Sequence, residues 1–250
     1  MIDSHAHIEM CEGTPAEVVQ RAAAAGVDRI LTIGLSGETF GVTLEIAEQH
    51  EGVFAAVGWH PNSTTGFGDE QAQAIAAAAK HEQVRAIGET GLDFFRDNAP
   101  VDDQREAFRT QIEIATEHKL PVSIHARAAE AECIDTLIEH GAGLPAVVLH
   151  CFSDPGQLDR AVEAGFYCSF AGNVTFKNAP ELRDAAARVP DELILVETDA
   201  PFLAPVPMRG KPCEPALVTL TAEVVAEERG VPYHELDAIV TANAQRAFGW

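Results

Sequence analysis

Residues 29–34 read RILTIG, residues 53–58 VFAAVG and residues 146–150 AVVLH. These runs are β-branched or continuously apolar and lack the alternation of a strand with one face in water. Strands of that kind are covered on both faces, the condition of a parallel sheet with helices packed over it. Outward from these three, short apolar runs fall at 2–7, 84–89, 121–125, 165–170 and 193–199, making eight expected strands.

Between the strands the pattern turns helical. Thr14 offers an N-cap, Pro15 suits a first turn and Gly26 follows the end, so a helix is expected over 14–25. A second, over 102–119, opens on Asp102 and Asp103 and carries Phe108, Ile112 and Ala115 at helical spacing. Further helices are expected at 38–50, 70–81, 128–140, 155–164 and 178–188, with a terminal pair at 214–229 and 232–248. Strands alternating with helices imply parallel βα units. Eight such units in 250 residues imply one α/β domain over residues 1–250, a (β/α)8 TIM barrel.

Hydrophobic residues make up 46 % of the chain and charged residues 22 %, which supplies a sizeable core and excludes a disordered acidic chain. Lys and Arg number 17 against 39 Asp and Glu, a net charge of -22. That excludes passive coating of nucleic acid, which needs a basic surface. An anionic substrate remains open where metal ions or local Arg and Lys carry the site. The opening MIDSHAHIEM has neither a basic start nor an apolar run, so no secretory signal is expected. No apolar stretch approaches the roughly 18 residues of a membrane span. Five scattered cysteines without a C-x-x-C pair read as reduced thiols of a cytoplasmic protein.

The first expected strand carries His5 and His7, two residues apart and therefore on one face. Glu89, His125, His150 and Asp199 each follow an apolar run, at the C-terminal ends of strands 4, 5, 6 and 8. Barrel active sites are built at that end. Six metal-competent side chains converging on one mouth would be costly to bury without a cation, and six N/O ligands suit two divalent ions. Glu89, midway round the barrel, is the expected bridge. His5 and His7 are expected to hold one ion with Asp199, and His125 and His150 the other. Asp199 is also placed to act as general base. Four imidazoles favour Zn, Mn, Ni or Co, with Mg left open. His60, Arg127, Lys177, Arg209 and Lys211 fall on the same rim, suited to a phosphate or carboxylate of the substrate. Asp93 is placed to order a loop or a site water, and Cys151 reads as a small packed residue.

In order, the strings DSHAHI, GWHP, GETGLDF, VSIHAR, LHCFSD, NVTFKNAPEL, ETDAPFL and RGKPCEPALV resemble the TatD family of metal-dependent hydrolases, within the amidohydrolase-like barrels. The tail ANAQRAFG is similar to that family's last helix. The resemblance implies a divalent-metal barrel that hydrolyses phosphodiesters, often as a 3′-to-5′ deoxyribonuclease, with ligands at His5, His7, Glu89, His125, His150 and Asp199. Many amidohydrolase relatives bridge their metals with a modified lysine on strand 4. Glu89 at that position fits the TatD branch. Three positions depart from the family pattern: Thr90, Asp154 and Cys213. The last two are expected near the mouth, where they bear on substrate choice. The expected activity is a metal-dependent deoxyribonuclease at DNA ends, acting through a hydroxide bridged by two metals. The alternatives are a hydrolase of a small ester, lactone, amide or aminoacyl-tRNA ester, and a non-catalytic metal-containing binding protein.

Overall fold

The computed structural model describes residues 1–250. Its strands are β1 (Ile2–Ala6), β2 (Arg29–Gly34), β3 (Val53–Val57), β4 (Val84–Asp93), β5 (Val122–Arg127), β6 (Val147–Leu149), β7 (Tyr167–Phe170) and β8 (Ile194–Val196). They pair in parallel and in sequence order. The ends of the sheet meet through an Ala6–Ala200 bridge. There His7 N–H donates to the Ala200 carbonyl at 2.8 Å and Asp199 N–H to the His5 carbonyl at 2.9 Å. The sheet is thus closed into a TIM barrel.

Around it lie α1 (Pro15–Ala24), α2 (Gly37–Gln49), α3 (Asp69–Ala78), α4 (Val101–His118), α5 (Glu130–His140), α6 (Leu158–Glu163), α7 (Pro180–Arg188), α8 (Val218–Arg229) and α9 (Tyr233–Phe248). From Ile30 onward RILTIG is buried, successive side chains facing the barrel interior and the helices in turn. Burying each of Ile30, Leu31 and Ile33 contributes about 1.5–3 kcal/mol. The capping expected at Thr14 is a reciprocal box. Its hydroxyl accepts from Glu17 N–H at 3.3 Å, and Glu17 Oε2 accepts from Thr14 N–H at 2.8 Å.

Several boundaries differ from expectation. α4 starts at Val101 behind Pro100, with Asp102 and Asp103 inside its first turn. α6 and α8 start late, because Pro155–Gln157 and Pro215–Leu217 form single 3-10 turns before them. β4 does not stop at Glu89. It stays paired with β5 through Asp93, after a register shift between Ile87 and Thr90. Gly91, at φ +139, makes that pairing possible, since a Cβ there would lie 2.0 Å from the His125 carbonyl oxygen. Glycines that read as a strand end are the positions where two backbones approach. β6 ends one residue before His150. β8 ends at Val196, because Thr198 leaves the ladder and donates its N–H (2.9 Å) and hydroxyl (2.5 Å) to the Asp3 carboxylate.

Candidate metal centre

The closing bonds between β1 and the segment after β8 set His5 and His7 beside Asp199 at the C-terminal mouth. The register shift in β4 aims Glu89 at the centre of the same mouth. Its carboxylate is buried, and its two oxygens face different imidazoles. Oε1 lies 2.6 Å from His125 Nδ1, 3.1 Å from His150 Nε2 and 3.5 Å from His60 Nε2. Oε2 lies 3.5 Å from His5 Nε2 and 3.7 Å from His7 Nε2. Asp199 Oδ1 closes the second side, 3.6 Å from His7 Nε2 and 3.9 Å from His5 Nε2. Three groups of mutually close donor atoms result: His5–His7–Asp199, His5–Glu89–His150 and His60–Glu89–His125. The rings of His5 and His150 stack at 3.8 Å, which ties the groups together.

This donor set fits divalent metal. His5 Nε2, the ring nitrogen turned to Glu89 and Asp199, is buried without a hydrogen-bond partner. The 3.5–3.9 Å spacings around His5 and His7 are long for hydrogen bonds. Two donors that are each about 2.1 Å from one tetrahedral ion stand about 3.4 Å apart.

Carboxylates behind the imidazoles set their orientation. Glu197, fully buried, accepts from His150 Nδ1 at 3.0 Å and from Cys151 N–H at 2.8 Å. His150 Nε2 is thereby left for Glu89 or a cation. Asp93 lies 3.2 Å from His125 Nε2 and accepts from Asn62 Nδ2 at 2.9 Å and from the N–H groups of Phe95 and Arg96, both at 3.0 Å. It thus orders both the loop after β4 and the His125 ring. Asp3 fastens Thr198 and the start of β1. Sequence patterns single out neither Glu197 nor Asp3, because their partners are remote in the chain.

Charge follows this packing. Burial works against ionised Glu89, yet His150, His60 and His125 hold its carboxyl well below the usual range. Burial also opposes the charged imidazoles of His150, His125 and His7. Glu89 and Glu197 nonetheless raise His150 well above its ordinary value. Asp93 and Glu89 raise His125, and Asp199 and Glu89 raise His7. Burial with the neighbouring His150 lowers His5, and burial takes His60 down to about 4. Burial pushes Asp3 up to about 8.

A cavity of about 720 Å³ opens over these residues. Arg127 lines it, and so does Arg96, which the sequence did not mark. Lys177, Arg209 and Lys211 do not line it. All three are exposed on more distant loops, with Arg209 stacked 4.2 Å over Phe176. His60 sits among the metal-competent donors rather than on an outer rim. Asp154 caps the turn before α6 by accepting from Gly156 N–H at 2.9 Å. Cys213 is buried, its N–H donating to the Pro201 carbonyl at 3.0 Å. Neither lines the cavity, though Asp154 follows the cavity-lining Ser153 and Cys213 is bonded beside the cavity-lining Phe202. Thr90 is buried in β4. Cys151 does line the cavity, but burial pushes its thiol up to about 12.

A parallel barrel that gathers buried imidazoles and carboxylates around one central Glu at its C-terminal mouth is built as a metal-dependent hydrolase. The chain belongs to the TatD family: the family described as TatD related DNase matches residues 2–249. A Bacillus subtilis protein named an uncharacterized metal-dependent hydrolase, YabD, is 39 % identical over 251 residues, covering 99 % of this chain and 98 % of its own. A Dickeya dadantii protein named 3′-5′ ssDNA/RNA exonuclease TatD is 37 % identical over 239 residues, covering 93 % and 90 %. The crystal structure of the Escherichia coli TatD homologue YjjV superposes with a TM-score of 0.94 at 30 % identity, over 100 % of this chain and 98 % of that one.

Proposed function

We propose that this hydrolase is a deoxyribonuclease that cleaves phosphodiester bonds at DNA ends with two divalent cations in the barrel mouth. What supports two cations is Glu89, a single buried carboxylate with each oxygen turned to a different set of imidazoles. In this scheme His5, His7 and Asp199 hold one cation, His125 and His150 the other, with His60 beside it, and Glu89 serves both. When bound, the cations supply Lewis acidity and positive charge at the scissile phosphate. Asp199, at the cavity wall, accepts the proton of the attacking water. Glu197 and Asp93 keep the rings of His150 and His125 aimed inward. Arg127 and Arg96 meet non-bridging phosphate oxygens.

Charge at the mouth favours an anionic substrate once metal is bound. The cavity is lined by Glu89, Asp93, Glu130 and Asp199 against Arg96 and Arg127, and because imidazoles that ligate metal are neutral, these side chains then carry a balance of −2. Two divalent cations reverse it to +2. The exonuclease name of the Dickeya dadantii relative agrees with attack at strand ends.

The test is chelator-stripped protein reloaded separately with Mg, Mn, Zn or Co. It is assayed on oligonucleotides labelled at the 3′ or 5′ end, single- and double-stranded, beside a panel of carboxylic esters and lactones. Metal-dependent release of nucleotides is expected, with Arg127→Ala raising KM more than Arg209→Ala. Ester hydrolysis without phosphodiester cleavage would replace the proposal with an acyl hydrolase. Metal binding with neither activity would leave a binding protein.

A further inference from the structure

Most large aromatic side chains of a folded chain are shielded from water, and isolated exposed ones carry no message. Here only two of the Phe, Tyr and Trp residues are exposed, Phe95 at 67 % and Phe202 at 48 %; Phe202 lines the cavity, and Phe95 stands at its edge against the cavity-lining Arg127. Phe95 follows β4 and Phe202 follows β8. In a closed ring of eight strands these lie on opposite sides. The metal-competent cluster lies between them.

Both rings are held by the site itself. Phe202 donates its N–H to the Asp199 carbonyl at 2.8 Å, lines the cavity, and stands edge-on to the His7 ring at 6.1 Å. Phe95 donates its N–H to Asp93 Oδ1 at 3.0 Å, and the Arg127 guanidinium lies 4.0 Å over its ring. One platform is therefore neutral, and the other is a ring joined to a cation.

We propose that Phe202 and Phe95 are stacking platforms for the two nucleobases that flank the scissile phosphate of a single-stranded end. The proposal rests on the nuclease function above and specifies its substrate. A phosphodiester has one nucleoside on each side. An end seated over the metal centre would carry one base toward each ring. Base–aromatic stacking accepts every base, because every base has a π face. Such a site reads strandedness and not sequence: a duplex keeps its bases in the helical stack and cannot splay them to opposite walls. Arg127, lying on Phe95, is placed to meet the phosphate beside the base stacked there.

The experiment compares an intact oligonucleotide with two versions carrying one abasic nucleotide, on either side of the cleaved bond. Wild-type enzyme is expected to lose about tenfold or more in KM for each abasic substrate. In Phe202→Leu the penalty for one abasic position disappears, and in Phe95→Leu the penalty for the other. Phe202→Tyr retains it. Equal penalties in wild type and both Leu variants overturn the platforms while leaving the nuclease function standing. No cleavage of any oligonucleotide by wild type removes the nuclease function, and the platforms with it.

Discussion

Glu197→Gln tests whether a carboxylate outside the donor cluster sets the strength of one cation site. In the wild-type protein Glu197 is fully buried, and Oε1 alone takes bonds from His150 Nδ1 at 3.0 Å and Cys151 N–H at 2.8 Å. Glutamine keeps the shape and one acceptor oxygen but removes the charge that anchors the Nδ1–H tautomer. A hydrogen bond to a charged group contributes about 1.5–3 kcal/mol, against about 0.5–1.5 kcal/mol for a neutral one. The difference, about 1–1.5 kcal/mol, is about a tenfold loss of affinity, the lower end of the roughly 10–100-fold seen when such outer partners are replaced. The assay is competition of the chelator-stripped protein against a chromogenic chelator, fitted to two dissociation constants, with the melting temperature of the stripped protein recorded alongside. One constant weakens about tenfold and the other stays, because His5, His7 and Asp199 do not touch Glu197. If both constants stay within about twofold of wild type, the orienting role fails. If both weaken together with a drop in melting temperature, the residue is structural.

Removing the cations should lower the melting temperature. Saturation of each site at about 100 times its Kd contributes about 2.7 kcal/mol, which for a domain of this size is about 5–10 °C per cation. A scan with and without chelator checks it, and coincident curves would contradict a divalent-metal site. Asn243→Ala should cost about 2–4 kcal/mol in a urea titration, since the buried amide donates to the Asp191 and Ile194 carbonyls at 2.7 and 2.6 Å and ties α9 to β8. An unchanged midpoint would show that this tie is not needed. Gly91→Ala places a methyl 2.0 Å from the His125 carbonyl oxygen and must spread β4 from β5. It should cost about 2–4 kcal/mol and weaken metal binding as well, and a variant with wild-type stability and affinity would refute the close approach.

Much of the fold could be read from the chain because its signals are local. RILTIG and its counterparts are buried on both faces, and that burial excludes alternation. Thr14, Pro15 and Gly26 bracket α1 by capping chemistry alone. The failures share one cause, contacts made across the chain. Gly88 and Gly91 look like the end of a strand until the neighbouring β5 backbone is known. Thr198 looks like strand until Asp3 takes its donors. The six metal-competent residues are visible because His5 and His7 share one face of the first strand, the other four each follow an apolar run, and the barrel brings such ends together. His60 follows a run too, but its place beside Glu89 depends on how the connection after β3 folds back. Glu197 and Asp3 are silent in sequence, since one Glu and one Asp among 39 acidic residues carry no mark of their partners.

The net charge of -22 illustrates the same limit. Summed over the chain it argues against any nucleic acid. The structure distributes it: Asp102, Glu223, Glu227 and Glu228 are exposed and Asp103 is half-buried on the outer helices α4 and α8, outside the cavity. Exposed charges farther apart than about 8–10 Å are largely screened at physiological ionic strength. What a phosphate meets at the mouth is therefore the local set: Arg96 and Arg127, the carboxylates Glu89, Asp93, Glu130 and Asp199, and whatever cations these donors and the imidazoles hold. An acidic shell around a metal-loaded mouth disfavours binding along the length of a duplex, leaving engagement at a short end drawn to the centre. Affinity for a long duplex should therefore be weak and little changed by its length, whereas affinity for a short single strand should depend on the bound metal. A gel shift showing tight, salt-sensitive binding to long duplex by the chelated protein would contradict that division.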